Sequence, residues 1–266
     1  MNSKVFVLIA CRRTGSNYLM KILDSFPELE FFGEVYHWDT VWMPTDRKKE
    51  YVTWLKNTKN IEISIGENPY EDKELVKLNH NNPNHFLEFL SLTTKSNHAG
   101  FKVFPEHLPW PKLQANLLNS KEITKVILKR NFLDVYISDK ILQQTKHSQG
   151  YNTSNIKIKV NCVDFKHWYY ETQSYFSRIE LYLKNDNQKY FELSYEDIHT
   201  YSNNDEKVDF IYSWFANNEF ELNHKPKVAE YTKKQDQRSS SLVKVENAQE
   251  LEKYLKINHL QHLIHN

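Results

Sequence analysis

Several short stretches of this sequence carry side chains that could do chemistry. In the first, Arg12, Arg13, Thr14, Gly15, Ser16 and Asn17 break an apolar run at residues 5–10, and Tyr18, Leu19, Ile22, Leu23 and Phe26 then recur at helical spacing. A strand, a tight glycine-containing loop and a helix aim backbone N–H groups and the positive end of a helix dipole at one point, which suits phosphate or sulfate. Ser16 is the expected N-cap of that helix. The run is not the G-x-x-x-x-G-K-[ST] loop of nucleotide triphosphatases, because it has no second glycine at that spacing and its cation, Arg13, precedes the turn. In a second stretch, Arg130 follows the apolar Val126, Ile127 and Leu128, Asn131 is placed to cap the next helix, and Ser138 falls about two helical turns further on. A guanidinium and a hydroxyl so placed can clamp one phosphate. Glu34, just past Gly33, and Lys102 and His107, near the end of another short apolar stretch, add a carboxylate, an ammonium and an imidazole. These lie beyond strand ends, where an α/β sheet opens its ligand crevice.

The elements that must position them can be read from periodicity. Strands are expected at residues 4–10, 29–32, 100–104, 126–128 and 189–194. A long amphipathic helix is expected over residues 162–183 and a terminal one at about 247–255. Residues 38–99 contain Trp38, Trp42 and Trp54, helical periodicity near 50–55 and 86–92, and little that suggests sheet. A segment of that kind beside a crevice is where substrate specificity resides. No repeat and no Gly-, Pro- or Ser-rich linker divides the chain, so residues 1–266 are expected to form a single domain.

Residues 13–19 resemble the 5′-phosphosulfate loop, R-[ST]-G-[ST]-x-x-L, of the sulfotransferases that use 3′-phosphoadenosine 5′-phosphosulfate (PAPS). Residues 130–138 resemble the 3′-phosphate motif of the same family, R-[DN]-x-x-[DE]-x-x-x-S, and the two occur in the family's order. Gly33 and Glu34 resemble the segment whose carboxylate is the general base in the bacterial and carbohydrate branch. His107, with Leu108 and Pro109, looks like the turn whose histidine is the base in the cytosolic branch, although its spacing from Lys102 is longer. Two bases thus stay open, Glu34 ahead of His107. Residues 195–198 are similar to a segment whose tyrosine, here Tyr195, lies near the adenine. Residues 230–241 resemble a loop that closes over the donor, where Lys233, Lys234 and Arg238 either reach the 3′-phosphate or are solvated. The resemblance implies an α/β fold, a central parallel sheet flanked by helices in a P-loop-like architecture, with 38–99 as a substrate-side helical insertion. It implies PAPS as donor, 3′-phosphoadenosine 5′-phosphate (PAP) as product and no metal. Arg12, Arg13, Thr14, Gly15, Ser16, Asn17, Arg130, Ser138 and Tyr195 would then hold the donor, and Glu34 or His107, with Arg13 and Lys102, would perform the transfer.

Composition limits the alternatives. The 35 basic and 34 acidic residues nearly cancel, so no global field draws nucleic acid or an anionic membrane. Two cysteines, Cys11 and Cys162, make neither a disulfide framework nor a cysteine-based zinc site. No stretch approaches the ~20 apolar residues of a membrane span, and residues 5–10 are too short for a signal-peptide core. A cytoplasmic protein is expected, whose partners are a small-molecule or carbohydrate acceptor and, in a homodimer, a second copy of the chain. The competing classes are a nucleotide kinase, disfavoured by the missing Gly-Lys pair, and a PAP-binding protein without catalysis.

Overall fold

The computed structural model describes residues 4–66, 68–147, 152–226 and 240–264. Among these, five strands, β1 (Lys4–Ile9), β2 (Leu29–Phe31), β3 (His98–Val103), β4 (Ile123–Lys129) and β5 (Tyr190–Ser194), form one all-parallel sheet in the order β2-β3-β1-β4-β5. Around the sheet run α1 (Ser16–Leu23), α2 (Thr45–Trp54), α3 (Lys73–Asn81), α4 (Pro83–Thr93), α5 (Trp110–Leu113), α6 (Phe132–Thr145), α7 (Cys162–Asn185), α8 (Tyr195–His199), α9 (Asn204–Asn217) and α10 (Ala248–Ile257). This is the expected α/β architecture, and the strand order is compatible with a P-loop-like fold.

β1 takes the centre because both of its faces are apolar. Val5, Val7 and Ile9 enter a core shared with Phe86 and Phe89 of α4 and Phe176 of α7, while Phe6, Leu8 and Ala10 enter another with Leu19 and Ile22 of α1 and Ile211 and Phe215 of α9. A third cluster packs α6 and α7 against α10 through Ile137, Phe165, Leu251 and their neighbours. The chain leaves β1 for one edge of the sheet and leaves β4 for the other. The two departing loops therefore diverge and open a crevice at the carboxyl ends of these adjacent strands.

The structure departs from the sequence expectations at several points. Ser16 is the first residue of α1 and not its cap: Gly15 holds that position in the left-handed conformation, φ 85°, and no side chain caps the helix. β3 begins at His98, two residues before the apolar stretch suggests, because the buried His98 ring accepts the backbone N–H of Glu221 at 3.0 Å. α3 and α9 are additional helices: α3 buries Leu75 in a polar sequence, and α9 buries Val208, Ile211 and Phe215 with Phe210, Tyr212 and Trp214 packed beside them. The insertion contains no strand before His98 among its described residues, and buried polar side chains moor it. The Tyr51 hydroxyl donates to Asn79 Oδ1 at 2.9 Å, and Asn79 Nδ2 donates to the carbonyl of Val35 at 3.1 Å. No helix among the described residues is long and apolar enough to cross a membrane.

Candidate functional site

The loop after β1 has an unusual backbone. Arg13 (φ 68°) and Gly15 (φ 85°) both occupy the left-handed region, which glycine enters freely and arginine does not. The Thr14 hydroxyl, buried, donates to the carbonyl of Cys11 at 2.8 Å and so closes the turn internally. α1 starts with no acidic residue and no side-chain cap, so its first amides, at Ser16 and Asn17, face the crevice end without an intrahelical acceptor. A Cβ on Gly15 would collide with the ring of Tyr195. The glycine is thus required twice, by its φ and by its neighbour.

The two phosphate-type stretches meet. Arg13 Nε donates to Ser138 Oγ at 3.2 Å, and Arg130 Nη1 donates to the carbonyl oxygen of Arg13 at 2.9 Å. Asn131 caps α6 as expected, its Oδ1 accepting the N–H groups of Leu133 and Asp134, which sets Ser138 two turns on. Arg130 lies 4.0 Å above the Tyr195 ring and His199 stacks on the same ring at 3.9 Å. Groups that close to one centroid cannot share a face, so Tyr195 has no face left on which a purine could stack. Its contribution is to steady Arg130. Asn131 N–H also donates to Glu196 at 2.9 Å, tying α8 to the same corner. Arg130 Nε is buried and has no hydrogen-bond partner among the described residues. Burial lowers the Arg13 pKa from its ordinary value, with Asp139 opposing and the like charge of Arg130 reinforcing. Two guanidiniums in a half-buried corner, one with an unused donor, form a site that an anion would stabilise.

A second group lies across the loop. Lys102, buried on β3, is 2.9 Å from Glu34 Oε1 and donates to Asn17 Oδ1. Its backbone N–H donates to the carbonyl of Gly33 at 2.9 Å, so the register of β2 on β3 sets Glu34 beside it. Gly33 (φ 74°) turns the chain there, and a Cβ would stand 2.9 Å from the Trp42 carbonyl oxygen. His107 is fully buried. Its Nδ1 accepts the Phe104 N–H at 3.2 Å, which leaves the proton of the neutral ring on Nε2, 3.5 Å from Glu34 Oε2. Burial alone would raise the Glu34 pKa, but the His107 ring and the Lys102 charge outweigh it and hold the carboxyl at about 2. Burial lowers the Lys102 pKa against the pull of Glu34. His37 stacks on Trp38 and meets His107 edge-on at 5.6 Å.

The residues expected from sequence therefore fall into two adjoining sets, Arg13, Gly15, Arg130, Ser138 and Tyr195 in one and Asn17, Glu34, Lys102 and His107 in the other. Arg12 is turned to Glu106, 2.9 Å away. Lys233, Lys234 and Arg238 lie outside the described residues. Glu106 and Asp139 stand next in sequence to His107 and Ser138 and were not singled out by spacing. Among the described residues no group of three or more His, Cys, Asp or Glu side chains is arranged to hold a metal ion. No protein-family model matches the chain, and no curated protein matches it.

Proposed function

We propose that this protein is a cytoplasmic sulfotransferase that moves a sulfuryl group from PAPS to a hydroxyl or amine of a small molecule, natural product or sugar. The observation that carries the reading is the meeting of Arg13, Arg130 and Ser138, which come from two stretches more than a hundred residues apart. In this reading the loop amides and Arg13 hold the 5′-phosphosulfate, and Arg130 with Ser138 holds the 3′-phosphate. The acceptor oxygen or nitrogen bonds to sulfur as the bond from sulfur to the bridging oxygen breaks. The bond pair stays on the phosphate of PAP, and the acceptor's proton passes to Glu34. Arg13 and Lys102 oppose the charge that builds on the bridging oxygen, a contribution made mainly in the transition state. As the Lys102 charge is drawn toward that oxygen, Glu34 loses its counter-ion and becomes a stronger base. His107, whose Nδ1 lone pair is taken by a backbone N–H, positions Glu34 and does not compete with it.

The test is calorimetry with PAP, adenosine 5′-phosphosulfate and ATP with Mg²⁺, followed by a labelled-PAPS acceptor screen. PAP should bind without metal. Arg130→Ala should weaken PAP by about 2–3 kcal/mol and adenosine 5′-phosphosulfate, which has no 3′-phosphate, far less. Equal weakening of the two would remove the 3′-phosphate assignment, ATP binding in place of PAP would favour a kinase, and PAP binding with no turnover would leave a nucleotide-binding protein.

A further inference from the structure

A cavity of about 220 Å³ opens beside the donor loop, between the turn after β3 and the helices α6 and α7, and its wall includes Arg12, Glu106, Asp139, Trp168, Glu171 and Tyr175. It adjoins the site through the chain itself, since Arg12 precedes Arg13 and Glu106 precedes His107. Among the charged groups in that wall are three carboxylates and one guanidinium. The guanidinium is already paired with Glu106 at 2.9 Å. Asp139 takes a hydrogen bond from the neutral Gln143 amide at 2.7 Å, and Glu171, 66% exposed, lies 3.4 Å from the exposed His167. Arg13 is near enough to feel Asp139, but its guanidinium donates to Ser138 and belongs to the donor corner. Among the described residues of the wall, carboxylates therefore outnumber cations.

An independent observation points to a polar occupant. The Tyr175 hydroxyl is buried and has no hydrogen-bond partner among the described residues, and burial pushes its pKa up, so it stays neutral. A neutral phenol donates its O–H and also keeps lone pairs to accept an N–H, so it fits a polar group of either kind, and the sign of the preferred charge is set by the carboxylates. Trp168 adds an aromatic surface, which attracts a cation and not an anion. We infer that this cavity receives the sulfuryl acceptor and selects one that carries a protonated amine. The inference rests on the sulfuryl-transfer reading for calling the occupant an acceptor, but the charge preference of the cavity can be measured without it.

Three probes on one benzyl alcohol scaffold decide the matter: 4-(aminomethyl)benzyl alcohol, its neutral isostere 4-ethylbenzyl alcohol and the anionic, slightly larger 4-(carboxymethyl)benzyl alcohol. Each is titrated into the free full-length protein, with PAP binding checked separately on the same preparation. The ammonium probe should bind at least about tenfold more tightly than the neutral one, the carboxylate probe should bind weakest, and Asp139→Asn and Glu171→Gln should each shrink the first difference. With PAPS present, the ammonium probe should also be the best sulfuryl acceptor of the three. Equal or reversed binding by the wild-type protein, no binding of any probe, or a preference that survives both substitutions overturns the inference. If PAP fails to bind while the ammonium preference holds, the cavity's selectivity stands and the donor assignment fails.

Discussion

Glu34 sits between a lysine and a histidine that both favour its ionised form, and this has consequences for rate and for stability. With a pKa near 2 it is a weak base at rest, so under the proposed sulfuryl transfer its effectiveness would depend on Lys102 turning its charge to the donor. Glu34→Gln keeps the shape and should lower turnover of an alcohol acceptor by roughly 10²-fold, with PAP binding intact, while His107→Ala should cost much less. The opposite ranking in steady-state kinetics would move the base to His107. The folded pKa is depressed from its ordinary 4.5, so the stabilisation is present above that value and is lost as the pH falls through about 2. At neutral pH it amounts to roughly 3 kcal/mol. In urea titrations Glu34→Gln should therefore be less stable than wild type at pH 7, with the gap closing as the pH drops from about 4.5 toward 2. A gap that is constant with pH would mean that Lys102 and His107 do not act on Glu34 in solution. The types of these residues and their order were legible in the sequence, but the pairing of Glu34 with Lys102 was not. That pairing is fixed by the β2–β3 register, in which Phe31 lies opposite Gly100, a non-local match that no local pattern encodes.

At the level of elements, the loop between β1 and α1 is held by fit as well as by conformation. A side chain on Gly15 would have to displace Tyr195, and the ring supports Arg130, so a change in one loop reaches the arginine of the other. Gly15→Ala should destabilise the fold by about 1–3 kcal/mol through its left-handed backbone and should also weaken PAP in calorimetry. Unchanged PAP affinity in the folded variant would show that Tyr195 does not couple the two loops. The strands and the long helices were legible because their apolar periods are local: β1 alternates between two cores, and α7 follows its apolar edge for 24 residues. The cap of α1, the start of β3 and the helices α3 and α9 were not. A left-handed glycine, a histidine buried by a distant backbone N–H, and helices whose packed faces are set by what they lie against are all decided by tertiary partners.

For the molecule as a whole, stability is concentrated in the strand that also carries the site. Leu8, fully buried at the centre of the sheet, should cost about 2–5 kcal/mol when changed to alanine, whereas Leu181, 59% exposed on α7, should stay within about 0.5 kcal/mol. Comparable midpoints for the two variants in urea would contradict the burial of β1 on both faces. The position of β1 also has a temporal side. Its partners begin at His98 and Ile123, so β1 must wait during synthesis for about a hundred further residues before either neighbour exists. Until then an apolar segment with unpaired backbone groups on both edges is available to other nascent chains. Long-range parallel pairing of this kind is slow and exposed to aggregation, so the order of synthesis places the burden of folding on whatever shields residues 5–10 during that interval.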